Sequence, residues 1–226
     1  MCSPTVVEFV ARTVDAEHVT GRRVLEVGAL DVNGSARAAV EALSPAEYLG
    51  VDIEAGPGVD RVVAAEDLVT TFGAGRFDLV ISTELLEHVA DWRAVVHNLK
   101  AVLAPGGRLV LTTRSWPFEY HGYPYDFWRW EVADLRMVFA DFDGVVVEPD
   151  PDEPGVLMVA TRPAEWDELD LAEYRVRNVL DGRRVRAITP AMRRRFEWER
   201  RAKRRVRRTR VHAGRTKRRL LGQPLT

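Results

Sequence analysis

Apolar positions fall along this chain in two rhythms. Short, nearly continuous apolar runs alternate with segments in which apolar residues recur every three or four positions. The runs Arg22–Gly28, Tyr48–Ile53, Phe77–Ser82 and Arg108–Thr113 predict central parallel strands, apolar on both faces, and Asp60–Val63 predicts a shorter one. Ala36–Leu43, Trp92–Leu103 and Glu131–Phe139 carry the helical rhythm. Ser3-Pro4 provides an N-cap and a first turn for an N-terminal helix that places Val6, Val7, Val10 and Val14 on one face. Asp143–Glu148 and Gly155–Arg162 predict two last strands joined by an acidic, proline-rich loop. Strands alternating with helices predict an α/β fold with a doubly wound sheet. Beyond Pro163 the pattern turns helical, over Glu165–Leu180 and from Ala191 to about Val211. The expected organisation is a sheet domain over 1–162 and a helical, arginine-rich extension over 163–226.

The first half of the sheet carries ligand-binding signals. Strand, glycine-containing loop, helix, strand and acid follow one another from Arg23 to Asp52. Gly28 lets the backbone pass close to a ligand, and Gly34 frees the approach to a helix N-terminus. Asp52 stands 24 positions after Gly28, near the ~20 expected of an acid that grips ribose hydroxyls. The loop is not a dinucleotide fingerprint, because Leu30 occupies the place of its second glycine. Glu26, ahead of the glycine, disfavours a pyrophosphate and suits a ligand bearing an amino group and a sulfonium.

Glu26-Val27-Gly28 resembles motif I of the class I S-adenosylmethionine (SAM)-dependent methyltransferases. Val51-Asp52 resembles that family's ribose acid, Phe77-Asp78-Leu79-Val80-Ile81-Ser82 its fourth strand, and the stretch Leu99–Leu109, with Pro105-Gly106-Gly107, its helix end, turn and fifth strand. The resemblance spans roughly 140 residues, a domain-sized length. It implies a Rossmann-like seven-stranded sheet with an antiparallel last strand. It also implies SAM as cofactor, held by Glu26, Gly28, Ala29, Gly34, Asp52, Ile53, Ala65, Glu66 and Ser82. Two positions depart from the family pattern. Leu30 replaces a second glycine, and Ala64 stands where many relatives carry an Asp for the adenine amino group.

Three clusters beyond these motifs could carry chemistry. Glu84-Leu85-Leu86-Glu87-His88 follows the fourth strand, and on a helix Glu84, Glu87 and His88 would share a face. His121 follows the fifth strand. Glu84, Glu87, His88 and His121 together resemble the metal site of small-RNA 2′-O-methyltransferases, and Glu-x-x-Glu-His also resembles ubiquinone-pathway O-methyltransferases. The resemblance implies a divalent cation, Mg²⁺ or Mn²⁺. A metal-free site in which His88 or His121 is the general base, and a structural role in orienting a helix, stand beside it. Residues 116–130 hold eight of the 19 aromatic residues. Tyr123 and Tyr125 are expected to face an acceptor pocket, Phe127 and Trp130 to pack, and Asp126 and Arg129 to bind acceptor hydroxyls.

Charge changes the picture only at the C-terminal end. The net charge of −1 conceals 18 Lys and Arg against Glu197 and Glu199 over residues 183–219, while residues 1–182 hold 15 bases and 32 acids. Such a tail suits an anionic membrane surface, nucleic acid or the acidic domain of another copy, and a solvated, self-repelling extension stands beside these. One cysteine excludes a disulfide framework, and no apolar run reaches the ~20 residues of a membrane span. No secretory signal is visible. The expected protein is cytoplasmic, with the inner face of the membrane within reach of its tail. The expected activity is O-methylation of a hydroxyl on a sugar, glycolipid precursor or other small metabolite. An RNA methyltransferase and a non-catalytic SAM-binding adaptor are the rivals.

Overall fold

The strand-forming runs assemble into one seven-stranded sheet in the order β3-β2-β1-β4-β5-β8-β7. The computed structural model describes residues 3–32, 34–122 and 125–198. Strands β1 (Arg23–Val27), β2 (Glu47–Asp52), β3 (Arg61–Val62), β4 (Phe77–Thr83) and β5 (Leu103–Arg114) run parallel. β8 (Gly155–Thr161) lies antiparallel between β5 and β7 (Asp143–Pro149). The expected doubly wound sheet with an antiparallel last strand is therefore present. Strand order reverses between β1 and β4, which opens a crevice at the carboxyl ends of those strands.

Helix α1 (Pro4–Thr13) starts as expected, with the Ser3 hydroxyl accepting from the Val6 N–H at 3.3 Å. Its buried face is Val6, Phe9 and Val10, continued by Val14, and it packs against Val24, Leu79, Ile81, Val110 and Leu157 of the sheet. Phe9 takes the place predicted for Val7, which is half-buried, because positions 6, 9 and 10 follow the helical repeat. Short helices α2 (Ala16–Val19), α3 (Arg37–Glu41) and α4 (Leu68–Phe72) join the early strands. α5 (Trp92–Ala101) is capped by Asp91, whose carboxylate accepts from Ala94 N–H at 3.2 Å, and it buries Trp92, Val95, Val96 and Leu99. α6 is Val132–Val138.

The segment after β8 departs from expectation. Residues 165–180 do not form a helix. They cross the domain as an irregular strap that ends in β9 (Val176–Asn178) and β10 (Arg184–Val185), which join β6 (Trp128–Arg129) in a three-stranded antiparallel sheet. A helix would have used its own carbonyls. Here the Arg93 guanidinium takes those of Leu171 (2.8 Å), Arg186 (2.5 Å), Ala172 (3.4 Å) and Tyr174. Leu171, Val176 and Asn178 are buried, so the strap completes a core. The first compact unit accordingly ends at Ala187, beyond the expected boundary at 162. In the second unit the Thr189 hydroxyl accepts from Met192 N–H at 3.2 Å at the start of a helix over 190–198. The remainder of the helix expected to about Val211 lies outside the described residues.

Candidate active site

The carboxyl ends of β1, β2 and β4 bring the residues of the first cluster together. Glu26 is buried next to the end of β1, and its Oε2 accepts from the Tyr48 hydroxyl at 2.8 Å. Burial pushes its carboxyl up to about 7, against the opposing effects of the Tyr48 hydrogen bond and the nearby Arg37 charge. Gly28 turns the chain with φ +83°, and its N–H and that of Ala29 both donate to Val51 carbonyl, at 2.9 and 3.0 Å. This joins the loop to the β2 end. Asp52 caps the same loop: Oδ2 accepts from Leu30 N–H at 3.3 Å and Oδ1 from Glu54 N–H at 3.1 Å. Gly34 N–H donates to Asp31 at 2.8 Å. Ile53 is 59% exposed beside Asp52. Ala65 is buried and Glu66 half-buried in a 3-10 turn, tied to α5 by the Asn98 amide, which donates to the Glu66 carbonyl at 2.7 Å. Ser82 is buried between Val27 and Leu111, and its hydroxyl has no hydrogen-bond partner among the described residues.

A second cluster lies past the ends of β4 and β5. The segment after β4 is a turn and not the helix on which a shared face was expected. Glu84 has φ +53°, a left-handed conformation that no helical residue adopts. Its carboxylate accepts from the Thr112 hydroxyl at 3.0 Å and pairs with Arg114. Burial, and then the neighbouring Glu87 charge, push it up. Glu84 is therefore no part of the centre formed by the other three. Glu87 is fully buried; Oε2 accepts from the Thr113 hydroxyl at 2.7 Å, while Oε1 receives no hydrogen bond. Nε2 of His88 and Nε2 of His121 each stand 4.0 Å from that Oε1. The two imidazoles meet edge to face at 4.9 Å.

The far side of each ring rests on an acceptor. His88 Nδ1 is 2.6 Å from the Tyr125 carbonyl, which can only accept. His121 Nδ1 lies 2.9 Å from Asp126 Oδ2, close enough for an ion pair but outside hydrogen-bond geometry. With the proton of a neutral imidazole on Nδ1, each ring would turn an Nε2 lone pair toward the Glu87 carboxylate. Glu87, His88 and His121 each offer a ligand atom within 4.8 Å of the others, a set that could hold a positive charge. A divalent cation fits that donor set, and so does a shared proton.

The methyltransferase-domain family matches residues 4–172. This chain belongs to the class I SAM-dependent methyltransferases. Among curated relatives, the ubiquinone biosynthesis O-methyltransferase of Chromobacterium violaceum is 32% identical over 125 residues, 49% of this chain and 51% of that protein. The Xylella fastidiosa protein of the same name is 35% identical over 124 residues, 49% and 48% of the two chains. The chain thus spans about half the length of these relatives. Among solved structures, the Burkholderia thailandensis 1,6-didemethyltoxoflavin-N1-methyltransferase, with S-adenosylhomocysteine bound, superposes with a TM-score of 0.52 at 17% identity, over 70% of this chain and 78% of that one. That likeness shows the fold.

Within this methyltransferase the aromatic segment divides otherwise than expected. Phe127 and Trp130 are buried packing, as their neighbours required. Tyr125 is 43% exposed and stacks on Phe127 at 5.6 Å. Tyr123 lies outside the described residues. Asp126 and Arg129 are not available to an acceptor: both are fully buried and bound to each other through two contacts of 2.6 and 2.7 Å. The Arg129 guanidinium and His121 hold the Asp126 carboxyl well below the usual range despite its burial. Sequence reading passed over Tyr48, Thr112, Thr113 and Arg114. The adjacent threonines closing an otherwise apolar strand were the available signal.

Proposed function

We propose that this SAM-dependent methyltransferase methylates a hydroxyl on a small metabolite such as a sugar or glycolipid precursor, and that Glu87, His88 and His121 hold a divalent cation at the acceptor side. The observation that carries the proposal is the buried Glu87 Oε1, without a hydrogen-bond donor among the described residues, with the Nε2 atoms of two imidazoles 4.0 Å away. O-methylation agrees with the names of the relatives at about a third identity over half the chain.

Glu84 stands outside the centre, so the proposed ligands are two imidazoles and one carboxylate. That set suits Mn²⁺ better than Mg²⁺, which prefers oxygen. SAM, when bound, supplies a methyl group activated by its sulfonium. Glu26 would receive the amino group of the methionine part, and Asp52 the ribose hydroxyls. A cation at the centre would polarise the acceptor hydroxyl; without one, an Nε2 lone pair could take its proton. Alignment of the reactants is the larger contribution, up to ~7–11 kcal/mol.

The test is incubation of cell extract with the protein and methyl-labelled SAM, with labelled products identified by mass spectrometry. Exhaustive chelation should abolish labelling and leave SAM affinity almost intact, and Mn²⁺ should restore labelling. Labelling that survives chelation would remove the cation, and loss of labelling in His88→Ala or His121→Ala with SAM affinity kept would then identify the base. Unmeasurable SAM binding would overturn the cofactor assignment.

A further inference from the structure

Resting on that reading of the centre, we propose that Arg129 is a positioning residue. Its buried guanidinium sets the orientation and tautomer of His121, and the strap after β8 holds Arg129 in place. Arg129 is fully buried and spends its donors on five acceptors. Two N–H groups grip the carboxylate of Asp126. The others reach the carbonyls of Phe118 (2.8 Å), Trp128 (2.6 Å) and Glu119 (2.9 Å). Phe118 and Glu119 precede His121 by three and two residues, so one side chain fixes both the approach to His121 and the carboxylate on which it rests. Asp126 Oδ2 then takes the His121 backbone N–H at 2.9 Å as well as facing Nδ1 at 2.9 Å. The carboxylate thus ties down the His121 backbone and lies against its ring, while Nε2 stands on the Glu87 side.

Arg129 is itself anchored by chain that lies beyond the central sheet. Its backbone pairs with Arg177 and that of Trp128 with Asn178, both of β9. Val179 N–H donates to the Phe127 carbonyl at 2.8 Å. The same loop touches the other two members of the centre: Phe127 and Trp128 N–H donate to the Glu87 carbonyl at 2.7 and 3.2 Å, and Tyr125 carbonyl holds His88. A lysine at 129 would keep the charge, but one ammonium cannot serve a carboxylate fork and three separated carbonyls. The strap is therefore part of the support of the centre, and Arg129 is where the two meet.

Arg129→Lys is the test, read in the full chain by three measurements besides turnover. Long-range ¹H–¹⁵N spectra of the imidazoles should show wild-type His121 as the Nδ1–H tautomer. In the variant it should become a mixture. Mn²⁺ affinity, read by electron paramagnetic resonance, should fall by about 10- to 100-fold, the usual loss when the group behind a ligating histidine is disturbed. SAM affinity by calorimetry should stay within about twofold, because the cofactor contacts proposed above lie on β1, β2 and β4. A folded variant with unchanged tautomer and unchanged Mn²⁺ affinity would overturn the proposal. If the wild type binds no Mn²⁺, the cation is wrong, and the tautomer still decides the role of Arg129. If Arg129→Lys does not fold, the wild-type spectrum decides: His121 as the Nε2–H tautomer would refute the arrangement.

Discussion

At the scale of single residues, Glu26 shows how a binding group is prepared at a cost to the empty protein. Its carboxyl stands at about 7 in the fold against an ordinary 4.5, because burial disfavours the charged form. A carboxyl raised in this way contributes stability that is fully present below pH ~4.5 and lost as pH rises through ~7. Glu26→Gln should remove that dependence, so its stability relative to wild type should increase between pH 4.5 and 7, as read by urea unfolding. An ammonium placed beside Glu26 would favour the ionised form. SAM binding at pH 6 should therefore release close to one proton, and affinity should rise between pH 5.5 and 7.5. Calorimetry in two buffers of different ionisation enthalpy measures that release; none at pH 6 would detach Glu26 from the ligand's amino group. Asp52 differs, since it caps the Leu30 and Glu54 amides while keeping lone pairs for a ligand. Asp52→Ala should weaken SAM binding by about 1–3 kcal/mol, the scale of hydrogen bonds to a charged acceptor. Equal calorimetric affinity in a folded variant would remove Asp52 from the site.

At the scale of elements, the strap over 163–187 is the part whose role changed most between sequence and structure. Arg93→Ala would leave the carbonyls of Leu171, Tyr174 and Arg186 without that donor. It should lower the unfolding free energy by about 1–3 kcal/mol, with the slope in urea unchanged. A chain ending at residue 187 should unfold cooperatively near the full-length midpoint. One ending at 162 should not, because it loses Leu171, Val176 and the Tyr174 ring that meets Trp92. Cooperative unfolding of the 1–162 chain would return the strap to the status of an appendage. The central strands were legible because a parallel strand buried on both faces leaves an unbroken apolar run, as Val24-Leu25 and Leu79-Val80-Ile81 do. The strap was not legible, because its backbone groups are satisfied by a distant side chain, Arg93, and by pairing with β6. Neither leaves a local period. The candidate site divides in the same way. Glu87, His88 and His121 could be picked out by residue type and by their place after β4 and β5. Glu84 was misjudged because its left-handed φ is a property of the turn and not of residue spacing. Asp126 and Arg129 were misjudged because two opposite charges in an aromatic segment look the same in sequence whether they meet a ligand or each other.

At the scale of the whole molecule, charge is segregated more sharply than the net value of −1 suggests. Residues 188–226 carry 15 Lys and Arg against Glu197 and Glu199, and most of that segment lies outside the described residues. No helix among the described residues is long and apolar enough to cross a membrane. Dense like charges raise the affinity for an anionic surface by roughly 1 kcal/mol per residue near it, and salt screens that attraction over about 10 Å at 0.1 M. The full-length protein should therefore sediment with vesicles containing about a third anionic lipid at 50 mM salt. The bound fraction should fall steeply by about 250 mM, and neutral vesicles should retain none. The chain ending at residue 187 should not bind at either salt concentration, while its SAM affinity should match that of the full-length protein. RNA at matched charge and salt provides the contrast. Tighter, length-dependent binding to RNA than to vesicles would assign the tail to nucleic acid, and would favour an RNA acceptor over a small metabolite. Concentration-dependent self-association that disappears on deleting 188–226, with no binding to either surface, would instead direct the tail to the acidic unit of a second copy.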